Sequence, residues 1–236
     1  MQRTRGLRTV ELLGDLVTRL HHQPRRKLTL LVGIDGPRRA GKTSFSTALA
    51  AFDPAMTVVT LDDFASPPPE DEPEGNRTEG RRPPETDRSD VPSVGFPEPE
   101  AAELDWRRLR NQLLLPLQGN RPSRYERYDA ASGTRRGWRE VGVGGIVIVE
   151  GVYACMRPLV AAYDFRIFVT APRDVLLRRR HERGDASSEH RTEGADPPAE
   201  AAYMADQDPA GSAHLVVDGA GEVACDRERE YVRVRT

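Results

Sequence analysis

Gly36-Pro37-Arg38-Arg39-Ala40-Gly41-Lys42-Thr43 is the stretch on which the reading of this chain turns. It has the spacing G-x-x-x-x-G-K-[ST]. It follows the apolar run Leu28–Ile34 and leads into Ser44–Ala51, which reads as a helix. A strand, a glycine-bounded loop and a helix in that order are the context that gives the motif its meaning. Gly36 and Gly41 let the backbone curl so that successive N–H groups converge on an anion. The helix N-terminus behind them adds partial positive charge. Lys42 can reach the β- and γ-phosphates of a nucleotide, and the Thr43 hydroxyl can take a place on Mg²⁺. Gly36, Pro37, Arg38, Arg39, Ala40, Gly41, Lys42, Thr43 and Ser44 are therefore the expected nucleotide-binding set. ATP and Mg²⁺ are the expected cofactors.

Outward from this loop, short β-branched or apolar runs recur at Thr57–Leu61, Ile146–Val149, Phe165–Val169 and Leu215–Val217. Helical patterns lie between them at Trp106–Leu115, Arg173–Arg183 and, more weakly, Pro198–Asp206. Strands alternating with helices predict a parallel sheet joined by right-handed crossovers. Ile146–Val149 is uninterrupted and apolar, as a strand covered on both faces should be. Leu7, Val10, Leu13, Val17 and Leu20 recur at helical spacing, so residues 4–21 read as an amphipathic helix, with a linker to residue 27. The whole chain, 1–236, reads as one α/β domain.

Two segments read differently. Residues 66–103 hold nine of the nineteen prolines and eleven acidic residues against four arginines. Such a composition predicts a flexible insertion that buries little apolar surface. It reads either as a solvated loop or as a cover over an acceptor site. Residues 184–197, rich in Gly, Ser, Asp and Glu, read as a second, lid-like loop.

The bulk properties narrow the function. A net charge of −2 gives no electrostatic footprint for nucleic acid. No apolar run approaches membrane-spanning length, and the first residues lack the apolar stretch of a signal peptide. Cys155 and Cys225 provide no disulfide framework or metal cluster, which fits a reducing cytoplasm. The expected partner is a small molecule, with neither nucleic acid nor membrane expected and self-association left open.

Several residues outside the loop have the chemistry that a phosphate transfer needs. Asp62 and Asp63 follow the Thr57–Leu61 strand, and ligands of parallel sheets bind at carboxyl ends of strands. An aspartate there can hold Mg²⁺ or accept a proton from a hydroxyl. Glu150 ends the third strand and is a second candidate for the metal, because a carboxylate at that depth needs a cationic partner. Arg180 and Arg183 share a helix face and can neutralise charge on a transferred phosphate. Arg124, Tyr125, Arg127, Tyr128 and Asp129 precede a glycine-rich turn. They read either as contacts to a sugar or base, or as a hairpin with surface tyrosines.

Taken in order, Gly33–Thr43, Leu61-Asp62-Asp63-Phe64, Arg127-Tyr128-Asp129, Val149-Glu150-Gly151-Val152-Tyr153, the arginine helix and Leu215-Val216-Val217-Asp218-Gly219 resemble the uridine kinase and phosphoribulokinase family. The resemblance implies a three-layer α/β/α phosphate-loop fold, a five-stranded parallel sheet of order 2-3-1-4-5 and a mobile lid. It implies that Asp62 receives the acceptor proton and that Glu150 supports magnesium. It also implies that Tyr128, with Asp129 and Arg124 beside it, meets a nucleoside and that Arg180 and Arg183 serve the lid. The chain departs from the family on the acceptor side. A family tyrosine is replaced by Ala65, and a sugar-binding aspartate is lost within Phe96-Pro97-Glu98-Pro99. The histidine after the Tyr-Asp pair is missing near Ser132 and Gly133. The expected activity is ATP-dependent phosphorylation of a hydroxyl on a nucleoside or related small molecule. The alternatives are another acceptor or a nucleotide binder with degraded catalysis. A regulatory GTPase is disfavoured, because no Asn-Lys-x-Asp guanine-reading motif is present.

Overall fold

The structure, a computed structural model, describes residues 7–65, 104–129, 132–182 and 198–235. The segments 66–103 and 184–197, and Arg183, lie outside the described residues.

The centre of the molecule is β2 (Leu30–Asp35), all six of whose residues are buried. Its side chains alternate between two cores, as the period of a strand requires. Leu30, Val32 and Ile34 join a cluster with Leu49 and Phe45 of α2 (Lys42–Phe52) and with Leu13, Leu16 and Leu20 of α1 (Leu13–His21). Leu31 points the other way, into a cluster with Leu109, Leu113, Leu117 and Tyr125. Two cores on opposite faces of one sheet make the expected three layers.

Five strands run parallel in the order β3-β6-β2-β7-β8: β3 (Thr57–Thr60), β6 (Ile146–Glu150), β2, β7 (Phe165–Thr170) and β8 (Leu215–Asp218). Counted along the chain, this is 2-3-1-4-5. The parallel register brings the carboxyl ends together. Ile34 of β2 and Thr60 of β3 both lie opposite Glu150 of β6, Asp35 lies opposite Phe168, and Thr170 lies opposite Asp218.

The sheet is wider than expected. β9 (Glu230–Arg235) pairs antiparallel with β8, and β1 (Leu7–Leu12) pairs antiparallel with β9, giving seven strands. The helix expected over residues 4–21 is thus a strand followed by a helix. Leu13, Leu16, Val17 and Leu20 hold α1 on the core. Leu7, Val10 and Leu12 remain largely exposed. Their partner strand comes from the far end of the chain, which local periodicity cannot register.

Among the remaining described elements, a 3₁₀ turn at Leu61–Phe64 follows β3 directly. The helix expected at Trp106–Leu115 is α-helical at Trp106–Arg108 (α3), π-helical at Leu109–Leu114, and α-helical again at Leu115–Gln118 (α4). Pro116 cannot donate a hydrogen bond to the Gln112 carbonyl four residues back. Ser123 Oγ does so instead, at 2.6 Å. Ser123 opens β4 (Ser123–Asp129), which forms a separate hairpin with β5 (Thr134–Val141). The short α5 (Arg157–Val160) precedes β7, α6 (Arg173–Glu182) connects β7 onward, and α7 (Pro198–Gln207) leads towards β8. No helix among the described residues is long and apolar enough to cross a membrane.

Candidate active site

The loop after β2 has a defined shape. Gly36 has a φ of 145°, and a side chain there would overlap the Val169 carbonyl, so only glycine fits. Arg39 adopts a φ of 66°, which is uncommon outside glycine and is held only where surroundings enforce it. Arg179 of α6 supplies part of that enforcement. Its guanidinium donates to the Arg39 carbonyl at 2.8 Å and to the carbonyls of Gly219 and Ala220 at 2.8 and 3.1 Å. Gly219 can approach this closely because it lacks a side chain; a Cβ there would collide with the Ala40 carbonyl. α2 then begins with no side-chain cap and no acidic residue in its first turn. A helix N-terminus always leaves its first amides unbonded within the helix, and here they face the loop.

Lys42 lies folded against this loop. Its Nζ donates to the carbonyls of Gly36 and Pro37, both at 2.9 Å. Burial pushes its pKa down, against the opposing charges of Asp35, Glu150 and Glu200. The next residue faces the third strand: Thr43 Oγ1 donates to Glu150 Oε1 at 3.1 Å. Glu150 is buried, and burial pushes its carboxyl above the usual range. The nearby negative charge of Asp62 acts in the same direction, while the hydroxyls of Thr43 and Thr60 and the charge of Lys42 oppose it.

The two adjacent aspartates diverge completely. Asp63 is 4% exposed and is held by Tyr125 Oη and Arg127 Nε, each at 3.0 Å, with Arg139 at 3.9 Å. Those partners all come from the hairpin, so Asp63 fastens it to the end of β3. Burial, together with the charge on Asp63, raises the Tyr125 phenol pKa. Asp62 is exposed, and its carboxylate receives no hydrogen bond from a described side chain. It lies close enough to Glu150 to influence its ionisation.

The hairpin separates residues that the sequence grouped together. The ladder shifts register between Glu126 and Tyr128, so Tyr125 and Tyr128, three apart, are both buried. These are therefore not surface tyrosines. Tyr128 sits beside Gly133 at the turn. Asp129 is engaged within the turn by Ser132 Oγ at 2.7 Å and by Arg136. Arg124 lies apart from Tyr125 and Tyr128. Strand alternation puts it on the outer face, stacked over Trp138 at 4.8 Å and near Glu140. On α6, Arg180 is partly buried, but the contacts to the loop described above are made by its neighbour Arg179. Successive helical residues point about 100° apart, so Arg179 and Arg180 face different directions.

Sequence reasoning also missed the residues beneath the loop. Asp35 is fully buried and accepts hydrogen bonds from Gly36 N at 2.6 Å, Cys155 N at 2.7 Å and Tyr203 Oη at 2.5 Å. Glu200 of α7 accepts from Arg38 N at 2.9 Å, and its second oxygen is 3.3 Å from Arg38 Nε. The only signal for Asp35 was its place between strand and loop. Glu200 and Tyr203 gave none, because their helix is weakly patterned.

Outside the loop, a groove of about 720 Å³ runs along α2 from Thr43 and Ser44 past Thr47 to Phe52, bounded by Arg227–Arg229. Chemically, the site combines inward amides, one lysine, a hydroxyl and two carboxylates at adjoining strand ends. Thr43, Glu150 and Asp62 are hard oxygen donors of the kind Mg²⁺ prefers, and the buried Glu150 carboxylate, whose ionisation is opposed by burial, suits a cation. The donor set therefore fits that metal.

The comparisons with known proteins agree with this architecture. No protein-family model matches the chain. A possible uridine kinase from Bacillus stearothermophilus superposes with a TM-score of 0.56 at 19% identity, covering 86% of this chain and 96% of that one. The uridine kinase of Saccharomyces cerevisiae is 28% identical over 159 residues, 65% of this chain and 28% of its own length. An inorganic pyrophosphatase of Arabidopsis thaliana is 29% identical over 143 residues, 60% of this chain and 18% of its own length. The match thus spans less than a third of these curated relatives. Central sheet order, phosphate loop and solved neighbour converge on one conclusion: the chain has the fold of a uridine-kinase-like phosphate-loop kinase.

Proposed function

We propose that this protein is an ATP-dependent phosphotransferase that moves the γ-phosphate to a hydroxyl of a nucleoside-like small molecule. The observation that carries the reading is the divergence of the two aspartates. Asp63 is consumed in fastening the hairpin, and Asp62 stands open beside the Thr43–Glu150 pair. In this reading the loop amides and Lys42 bind the phosphates, with Lys42 exchanging the Gly36 and Pro37 carbonyls for phosphate oxygens. The donor nucleoside lies in the groove along α2. Thr43, Glu150 and Asp62 hold Mg²⁺, which neutralises phosphate charge when bound. Asp62 orients the acceptor hydroxyl and takes its proton as the new oxygen–phosphorus bond forms and the bridge to the β-phosphate breaks. Tyr128, on the hairpin, is the candidate for contact with the acceptor, and Arg180 for neutralising charge on the transferred group.

A turnover assay with ATP, Mg²⁺ and a panel of nucleosides tests the proposal. Formation of ADP dependent on one acceptor, and lost in Asp62→Asn, supports it. The names of the Arabidopsis thaliana relatives support a second reading, hydrolysis of a phosphoanhydride with water as acceptor. Release of inorganic phosphate from ATP or pyrophosphate at a rate indifferent to added nucleosides would favour it.

A further inference from the structure

The loop that receives the phosphates is bonded on its underside by two buried carboxylates, and one of them comes from a helix far along the chain. Glu200 and Tyr203 are three residues apart on α7, hence on one face, and both are buried. Tyr203 packs edge-on against Tyr153 with ring centroids 4.9 Å apart. Its hydroxyl fixes Asp35 Oδ2, and Asp35 Oδ1 takes the Gly36 amide. Glu200 takes the Arg38 amide. Two of the first three loop amides are thereby committed to carboxylates before any ligand arrives.

Electrostatics makes this arrangement informative. A buried carboxylate is costly unless well bonded, and two of them beside a polyanion site work against anion binding. Neither adds attraction for phosphate, so a contribution to binding must come through loop shape. With Gly36 and Arg38 tied down, the peptide planes between them are fixed. Arg179 holds the far side at the Arg39 carbonyl. Ala40 N closes the loop on the Pro37 carbonyl at 3.1 Å, so the loop need not first be ordered by the ligand, which lowers the entropic cost of binding.

We infer that α7 is a latch for the phosphate loop, with Glu200 and Tyr203 as positioning residues that hold it in its nucleotide-ready shape through Arg38 and Asp35. The inference rests on the triphosphate reading for its consequence, but its structural half can be tested without nucleotide. Two measurements on the full chain suffice. One is hydrogen exchange of the peptide covering residues 36–42 without ligand. The other is calorimetric binding of a magnesium complex of a non-hydrolysable ATP analogue. Glu200→Ala should accelerate the exchange and weaken binding about tenfold, the effect of losing one charge-assisted hydrogen bond. Glu200→Gln keeps an acceptor for the Arg38 amide and should restore both to within about twofold. Tyr203→Phe should accelerate exchange and weaken binding by a few-fold, and it decides the matter if Glu200→Ala does not fold. Unchanged loop exchange in a folded Glu200→Ala or Tyr203→Phe overturns the latch. A Glu200→Gln variant as impaired as Glu200→Ala also overturns it, because charge and not the hydrogen bond would then be responsible. Faster loop exchange in a protein whose wild type binds no nucleotide sustains the latch and overturns the triphosphate reading.

Discussion

The proposed donor half and the proposed acceptor half of the candidate site are built on different principles. On the donor side, β2, the loop and α2 follow one another within residues 30–52, and the expected loop contacts, Gly36 to Ser44, all lie on that stretch. On the acceptor side, the Leu61–Phe64 turn, α3 and the hairpin are tied together by contacts across long sequence separations. Arg139 donates to the Val58 carbonyl at 3.0 Å, Arg108 to the Asp63 carbonyl at 3.2 Å, and Tyr125 stacks on Phe64 at 4.7 Å. The candidate phosphate-binding loop is thus carried by one continuous stretch of chain. The proposed acceptor side is assembled from segments far apart in sequence. Of the departures from the family pattern, Ala65 and Ser132 lie on the second side, while Pro97 lies outside the described residues.

The comparison predicts an ordered set of effects. The largest belongs to the donor half. Lys42→Ala should abolish measurable ATP binding and turnover with the fold intact, checked by calorimetry and circular dichroism. A folded variant that binds normally would remove the loop from the mechanism. Next comes the hinge between the halves. Asp62→Asn should reduce turnover by about 10²–10⁴-fold, the usual loss of a general base, and should change ATP affinity far less.

Asp63→Asn separates the two halves from the other direction. Asp63 is buried and bonded to Tyr125 and Arg127, so losing its charge should lower stability by about 1–3 kcal/mol in a denaturant titration. Its effect on turnover should be much smaller than that of Asp62→Asn. A reversed ranking of the two in turnover would reassign the base to Asp63.

Glu150 gives a pH test. Burial holds its folded pKa above the ordinary value. Its carboxylate form therefore opposes folding: the penalty is absent below the ordinary glutamate pKa, grows as pH rises above it, and is complete once pH has passed the folded pKa. In metal-free buffer, Glu150→Gln should raise the melting temperature at neutral pH, with the gain vanishing below the ordinary glutamate pKa. The same variant should lose its response to Mg²⁺. A melting temperature that falls at pH 7 would mean that the Thr43 hydrogen bond and the charge of Lys42 outweigh burial. The smallest effect belongs to the outer face of the hairpin. Arg124→Ala should leave turnover within about twofold and stability within about 1 kcal/mol, as for an exposed ion pair and cation–π contact.

By itself the sequence determined the order of the five parallel strands through the family resemblance, the phosphate loop, and the positions of Asp62 and Glu150 at strand ends. The loop and the two strand-end carboxylates are short-range patterns: an apolar run before the loop, a helix-forming run after it, and a glycine spacing that suits one backbone path. The tertiary structure decided everything that depends on residues distant in the chain. It turned Leu7–Leu12 into a strand by supplying β9 as a partner, against a helical periodicity that continued through it. It chose Arg179 over Arg180 for the loop carbonyls, because helix rotation is set by packing and not by composition. It assigned Asp63 to the hairpin and left Asp62 open, although the two are neighbours with identical side chains. It also brought Tyr203 and Glu200 beneath the loop from a helix whose sequence says little. The physical reason is the same in each case. A buried polar group needs a partner, and which partner it finds is fixed by how the chain packs.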